Sequence, residues 1–231
     1  MNRSRLTGLV MYALVTVHPL TITAGRVRCE LNCDRAWTGD AVATGTEVLD
    51  VGRRDHVVLF YCDEQELTER VSEHLLPAIQ GGGVTIVVAT PDHRRSFERY
   101  LADAGVDVAA ASARGAYLAL DASQTIRGFM VADRPDPAGF WQAISPMLRH
   151  AAKAGRPVRV FGEMVSLLWD ASLIDAAIEV EAMWNELGAQ YPFSLLCAYP
   201  AQPAACADQL DALTEVCHAH TQVTGIPPDA D

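Results

Sequence analysis

The sequence predicts an α/β domain of three layers, in which a mainly parallel sheet is covered by helices on both faces. Two observations favour this class. Short apolar runs alternate with helical patterns, and the runs are apolar at nearly every position rather than at every second one. Parallel strands that are buried on both faces and joined by helices have this composition. No linker rich in Pro, Gly or Ser divides residues 55–220, so we predict one domain there.

The apolar runs predict five strands and a short additional one. The strands are placed at residues 56–61, 84–89, 106–110, 157–161 and 193–199, with the short one at 116–120. Helices are expected to begin at Asp63-Glu64, Thr90-Pro91, Asp121, Asp136-Pro137 and Ser172, and a last one covers Pro203 to His220. Residues of these types favour helix N-termini.

The two ends of the chain are predicted to lie outside the domain. Residues 1–54 form an N-terminal extension and residues 221–231 a flexible tail. The first 25 residues combine a basic start with a short apolar run, as in a secretory signal, but His18 and Pro19 interrupt that run. A disordered extension, an export signal and a start codon assigned too far upstream are the alternatives. We expect a cytoplasmic protein with no membrane span.

The charge balance argues against a direct nucleic-acid partner. The chain has 29 acidic and 18 basic residues, a formal net charge of -11. Binding to phosphates needs clustered Lys and Arg. The two dense basic clusters, Arg53-Arg54 and His93-Arg94-Arg95, are too short for such a footprint, and we interpret them as solvated surface.

The turn after the first strand lacks the residues that hold a nucleotide phosphate. A phosphate-binding loop needs glycines, a Lys and a Ser or Thr. Residues 61–66 read Tyr-Cys-Asp-Glu-Gln-Glu, so three carboxylates stand where phosphate would bind. The glycines at 81–83 lie between a helix and a strand and are expected to end the helix. Residual ATPase activity is therefore disfavoured.

Ligands of open α/β sheets bind beyond the carboxyl ends of the strands, and four residues there suggest a binding site. Tyr61 and Tyr199 would supply aromatic walls with polar tips, Trp169 apolar area, and Glu163 a polar anchor. A purely structural alternative for Glu163 is that it caps the following turn.

A second cluster combines thiol and imidazole groups. Cys217 and His220 lie on the last predicted helix, which should return its end toward the amino edge of the sheet, where His56 lies. These residues suggest either a metal or thiol site or a structural role, with His220 packed at a helix end and Cys217 facing the core. We favour the structural interpretation and predict no metal and no cofactor.

Four motifs in order suggest a family. They are His56-x-x-x-Phe60-Tyr61, Gly162-Glu163-Met164 followed by Leu167-Leu168-Trp169, Cys197-Ala198-Tyr199-Pro200, and Cys217-x-x-His220. Together they resemble the MEDS domain, the sensory domain named for methanogens, methylotrophs and a dichloromethane-responsive repressor. The resemblance spans about residues 55–220. One departure is Val58, at a position where the family often carries Cys.

The resemblance implies a RecA-like sheet that has lost the phosphate loop, and a role in sensing small hydrocarbon-like ligands. Family members occur alone or joined to DNA-binding, kinase or anti-sigma-type modules. The ligand-binding residues that we predict on this basis are His56, Phe60, Tyr61, Glu163, Trp169, Cys197 and Tyr199, with Cys217 and His220 as a secondary cluster.

We therefore predict a non-enzymatic sensory or regulatory domain that binds a small organic molecule. It would pass the signal to a protein partner, an anti-sigma factor, a histidine kinase or a regulator, in transcriptional or two-component signalling. The sequence leaves a homodimer open. The alternatives are an interaction scaffold that binds no ligand, and an enzyme that uses a His/Cys or His/Glu pair.

Overall fold

The computed structural model describes residues 42–43, 52–153, 155–201 and 210–225. The strands are β1 (Val42–Ala43), β2 (His56–Tyr61), β3 (Val84–Ala89), β4 (Tyr117–Asp121), β5 (Met130–Val131), β6 (Arg134–Pro135), β7 (Val158–Gly162), β8 (Ser194–Pro200) and β9 (Gln222–Thr224). The helices are α1 (Glu64–Gln80), α2 (Pro91–Asp103), α3 (Val108–Ala113), α4 (Ala122–Phe129), α5 (Pro137–Lys153), α6 (Met164–Asp170), α7 (Ile174–Gln190) and α8 (Leu210–Ala219).

Seven strands form one parallel sheet in the order β1-β9-β2-β8-β7-β3-β4. The separate pair β5 and β6 is antiparallel. Helices cover both faces of the large sheet. The predicted class, a three-layer α/β fold with a parallel sheet, is confirmed.

Alternating side chains divide the core into two clusters, one on each face of the sheet. On one face, Leu59 of β2 and Leu196 of β8 pack with α1, α2 and α3. On the other face, Phe60 of β2 and Cys197 of β8 pack with α4 through α8. His56 is four residues before Phe60, so its side chain points to the second face, under α7 and α8.

The third predicted strand, at 106–110, is wrong. The chain there forms α3, because Asp107 accepts a 2.8 Å hydrogen bond from the Ala110 amide and so caps the helix. The alanine-rich run that follows favours a helix. The strand lies further along as β4, where only a short additional strand was expected.

The predicted cap at Ser172 is also wrong. A helix that was not predicted, α6, ends just before it, and Ser172 adopts a left-handed conformation with φ 61°. The amide of Ser172 donates to the Trp169 carbonyl, which closes the end of α6. The next helix, α7, begins two residues later at Ile174.

Residues 222–224, which were predicted to belong to a flexible tail, instead form β9 beside β2. The predictions for residues 1–41, 44–51, 202–209 and 226–231 fall outside the described part of the chain. Among the described helices, none has the length and apolar character needed to cross a membrane.

Candidate functional site

Glu163 is the central residue at the carboxyl edge of the sheet. It follows β7, and its carboxylate is buried. Oε2 accepts a 2.6 Å hydrogen bond from the Thr90 amide at the end of β3, and Oε1 lies 2.8 Å from His93 Nδ1. The side chain makes no capping bond to α6, so the capping alternative for Glu163 is wrong.

His93 links Glu163 to a second carboxylate. Its Nε2 lies 2.6 Å from Oε2 of Glu64, which is in the first turn of α1. The hydrogen bond that His93 donates to Glu163 is the main cause that raises the pKa of His93 to about 9, although partial burial opposes the shift. His93 is therefore a cation at neutral pH that is paired on both sides. His93 is therefore part of this site, and the prediction that it belongs to a solvated basic cluster is wrong.

The amides that a nucleotide phosphate would need are already occupied by carboxylates. Asp63 caps α1 by accepting a 2.8 Å bond from the Glu66 amide. Glu66 in turn accepts a 2.8 Å bond from the Cys62 amide. Free amides and a positive end of the helix dipole are what make a helix N-terminus bind anions. Here both amides already have an anionic partner.

The predicted aromatic residues divide between the edge and the interior. Tyr61 is half-buried at the edge, where burial and then Glu64 raise the pKa of its hydroxyl. Tyr199 is 1% exposed, and its ring meets Trp169 edge-to-face at 5.3 Å. Phe60 is buried 6.1 Å from Tyr199. Tyr199 is therefore not a wall of the edge, because its position in β8 points it toward α7.

A second polar cluster is buried on that face of the sheet. It brings together His56 at the start of β2, Cys197 in β8, Glu181 in α7 and His220 just after α8. One donor atom from each lies within 4.8 Å of all the others. We call these four residues the buried centre. Its formation shows that the chain after α8 returns to the amino end of β2, as predicted.

The two imidazoles of the buried centre are oriented through their Nδ1 atoms. His56 Nδ1 lies 2.9 Å from Oδ1 of Asn185. The amide nitrogen of Asn185 donates to the Ala219 carbonyl, which fixes the orientation of the amide. His220 Nδ1 lies 2.6 Å from the Val216 carbonyl oxygen.

The carboxylate of Glu181 faces the other members of the buried centre. Its Oε2 lies 3.2 Å from His56 Nε2 and 3.3 Å from Cys197 Sγ. Its Oε1 lies 3.5 Å from His220 Nε2 and accepts a 2.8 Å bond from the Tyr199 hydroxyl. Burial raises the pKa of Glu181, but His220 and His56 outweigh it and lower the pKa to about 2.

Burial disfavours the charged forms of two other groups of the centre, His220 and Cys197. Burial and then His56 lower the pKa of His220 to about 4. Burial and then Glu181 raise the pKa of the Cys197 thiol well above its usual value. Burial thus disfavours charge on the His220 imidazole and on the Cys197 thiol, while the neighbouring imidazoles favour the ionised carboxylate of Glu181.

The secondary cluster predicted from Cys217 and His220 forms only in part. His220 packs at the end of α8 and joins His56, while Cys217 is buried in the core, as the structural interpretation proposed. The thiol that meets the histidines is Cys197 instead. Glu181 was missed, although it lies at the i+4 position of an otherwise apolar helix face that also carries Ala177, Val180 and Trp184.

These features define a three-layer α/β domain with two polar clusters, one at the carboxyl edge of the sheet and one buried on a face. Residues 55–221 match the family model of MEDS, the MEthanogen/methylotroph, DcmR Sensory domain. A search of the curated proteins found no match. The family match covers well over half of the 231 residues, so the chain belongs to the MEDS family, and the predicted resemblance is confirmed.

Proposed function

We propose that this MEDS domain is a non-enzymatic sensor of a small, uncharged organic molecule, which binds at the carboxyl edge around Glu163. The observation that carries the proposal is the environment of that carboxylate. It is buried at the strand ends, and it bonds to the Thr90 amide and to His93. Buried polar groups of this kind fix the orientation of a ligand in an otherwise apolar site.

Charge limits the class of ligand. Burial is the main cause that raises the pKa of the Tyr61 hydroxyl. The charges of Glu64, Asp170 and Glu163 raise it further, so the edge carries a negative potential. The cation of the edge, His93, is already paired with two of these carboxylates. An anionic ligand would be repelled there, whereas an uncharged molecule that donates a hydrogen bond fits.

Packing limits the size of the ligand. Behind the edge, Trp169 and Tyr199 are buried against each other. We therefore place the ligand at the rim, between Tyr61 and His93, rather than in the interior. A molecule of one to a few carbons suits this position.

The edge also offers a route for the output. Glu64 is in α1, His93 is in α2, and Glu163 immediately precedes α6. These three side chains are joined by hydrogen bonds. A ligand that replaces one of these hydrogen bonds would loosen the connection between helices on opposite faces of the sheet. We propose that a signalling protein reads this change, with an anti-sigma factor, a histidine kinase or a regulator as the expected partner.

The test is a titration of the 15N-labelled full chain with methanol and, separately, with dichloromethane, followed by amide chemical shifts. We expect saturable shifts at Thr90, His93 and Tyr61, which Glu163→Gln weakens by at least about tenfold, since hydrogen bonds to charged groups contribute about 1.5–3 kcal/mol. Glu98→Gln, which changes a carboxylate bonded to Tyr117 away from the edge, is the matched control. Shifts that are not saturable, or that survive Glu163→Gln, contradict the proposal.

A second candidate is a protein-interaction scaffold without a ligand. It is favoured by the contact between Trp169 and Tyr199, which fills the interior that a larger ligand would need. In that case no small molecule perturbs the edge.

The enzyme alternative has weaker support. His56 and Cys197 do meet, with Nε2 and Sγ 3.4 Å apart. A nucleophilic cysteine must be a thiolate, however, and burial beside Glu181 opposes loss of the thiol proton. This supports the proposal that the domain does no covalent catalysis.

A further inference from the structure

The hydrogen bonds of the two imidazoles in the buried centre leave both Nε2 atoms without hydrogen whenever the rings are neutral. Oδ1 of Asn185 and the carbonyl of Val216 are acceptors only, so the Nδ1 atoms of His56 and His220 must donate to them. A neutral imidazole has one N–H. In both neutral rings, Nε2 therefore presents a lone pair.

Both lone pairs face negative charge. The Nε2 atoms lie 3.2 and 3.5 Å from the carboxylate oxygens of Glu181. Nε2 of His220 is buried and has no hydrogen-bond partner. Lone pairs directed at a buried carboxylate repel it, so a cation between these atoms would be stabilising.

Protons alone fill this role badly. If both rings were protonated, two cations would meet at a centroid distance of 3.9 Å in a site closed to water. If only His56 were protonated, Nε2 of His220 would stay buried without a partner. A single divalent cation placed between the donors neutralises the carboxylate and accepts both lone pairs.

The spacing of the donors fits such an ion. Metal–ligand distances of about 2.0–2.3 Å give a tetrahedron whose edges are about 3.3–3.8 Å long. Oε2 of Glu181, Nε2 of His56 and Sγ of Cys197 lie 3.2, 3.3 and 3.4 Å from one another. Nε2 of His220 lies 3.5 Å from the other carboxylate oxygen, Oε1, and one donor atom from each of the four residues lies within 4.8 Å of all the others. All four side chains are buried, and they come from four separate segments of the chain.

We propose that the Nε2 atoms of His56 and His220, the thiolate of Cys197 and the carboxylate of Glu181 bind one divalent transition-metal ion. The nitrogen and sulphur donors favour Zn²⁺ or a similar first-row ion over Ca²⁺ and Mg²⁺, which prefer oxygen. On binding, the Cys197 thiol releases its proton to solvent, and the thiolate and carboxylate together balance the charge of the ion.

The surroundings support this role. Histidines that bind metals usually donate their other N–H to a carbonyl or carboxylate, as His56 does to Asn185 and His220 to Val216. The carboxylate is held by the Tyr199 hydroxyl. Four protein donors close the coordination sphere, which is typical of structural zinc rather than of catalytic zinc. The ion would join β2, β8, α7 and the segment after α8.

The first test uses Co²⁺ as a spectroscopic probe with the purified full chain. To keep thiols outside the described residues from contributing, Cys29, Cys33 and Cys206 are replaced by serine. We expect one equivalent of Co²⁺ to give intense d–d bands of a tetrahedral ion and a sulphur-to-cobalt charge-transfer band. One equivalent of Zn²⁺ should abolish both. Weak octahedral bands, or no stoichiometric binding, would overturn the proposal.

The second test compares variants by competition with a chromophoric zinc chelator. Cys197→Ser and His220→Gln should weaken Zn²⁺ binding more than about 100-fold, whereas Asn185→Ala, which only orients His56, should cost about 10–100-fold. Cys62→Ser and His218→Gln change an exposed thiol and an exposed imidazole and serve as controls with unchanged affinity.

Zinc binding that is unaffected by Cys197→Ser overturns the assignment. If a variant fails to fold, as judged by circular dichroism, X-ray absorption of the zinc-loaded parent protein decides instead. One sulphur and three nitrogen or oxygen neighbours support the site, and any other shell rejects it.

Discussion

The rings of His56 and His220 lie 3.9 Å apart, centroid to centroid, and Glu181 is within 3.5 Å of both. His56 begins β2, and His220 follows α8. The contact therefore joins β2 to the segment that follows α8. The ligand proposal depends on the carboxylate of Glu163 at the edge of the sheet, and the metal proposal depends on the carboxylate of Glu181 in the buried centre.

Replacing Glu181 by Gln should destabilise the fold strongly. The change removes the charge that faces two imidazoles in a buried site, and breaking a buried charged network costs about 3–5 kcal/mol. Urea unfolding, followed by circular dichroism, measures the loss.

The matched control is Glu179→Gln on the same helix. Glu179 pairs with the exposed Arg134, and a pair at the surface contributes at most about 1 kcal/mol. If both variants lower the free energy of unfolding equally, the buried carboxylate of Glu181 stabilises the fold no more than a surface carboxylate does.

Replacing Tyr199 by Phe should lower the free energy of unfolding by about 1.5–3 kcal/mol, because its hydroxyl bonds to a buried carboxylate. Tyr117→Phe is the comparison, since that hydroxyl bonds to Glu98 at 3.2 Å in a half-buried setting. We expect Tyr117→Phe to lower the free energy of unfolding by less than Tyr199→Phe does. The reverse order would contradict the interpretation that Tyr199 supports Glu181.

Stability should fall on the alkaline side of neutral pH because of His93. Its pKa rises to about 9 in the fold, from about 6.5 in the unfolded chain, so the folded state binds an extra proton between these values. The stabilisation that the protonated His93 provides is fully present below about pH 6.5 and is lost as pH rises through about 9. In His93→Gln this part of the pH dependence should disappear. A parent profile that is flat from pH 6.5 to 9 would refute the pairing of His93 with Glu163.

Acid should weaken the fold through His74. Burial and then Arg159 lower the pKa of this imidazole to about 3. The unfolded chain binds its proton below about pH 6.5, so the contribution is present above that value and is lost as pH falls toward 3. His74→Leu should reduce the slope of stability against pH by up to about 1.4 kcal/mol per unit in this window. An unchanged slope in calorimetry would show that His74 is not neutral in the fold.

The sequence predicted the main strands because residues buried on both faces are apolar throughout, as in β3 and β8. It failed at 106–110, where a single capping residue, Asp107, turned an apolar run into α3. Short apolar runs cannot be assigned by periodicity alone.

Some of the candidate site residues were placed correctly from the sequence, and others were misplaced or missed. The sheet rule located Glu163 and Tyr61 at the carboxyl edge, and the return of α8 placed His220 near His56. Tyr199 was misplaced because the rule gives the position of a residue along a strand, while the alternation of side chains decides which face it joins. Glu181 was missed because its role depends on three partners from distant segments.

Only Thr221 separates His220 from β9, and it is bound to β2 at both ends. Its amide and hydroxyl donate to the His56 carbonyl, and its hydroxyl accepts from the His56 amide. Displacing β9 from the sheet would therefore also move the His220 imidazole away from Glu181, because only Thr221 lies between β9 and His220 in the chain. The position of β9 in the sheet and the position of the His220 imidazole are thus linked through Thr221. A protein that binds residues 222–225 and displaces them would change the distance between His220 and Glu181.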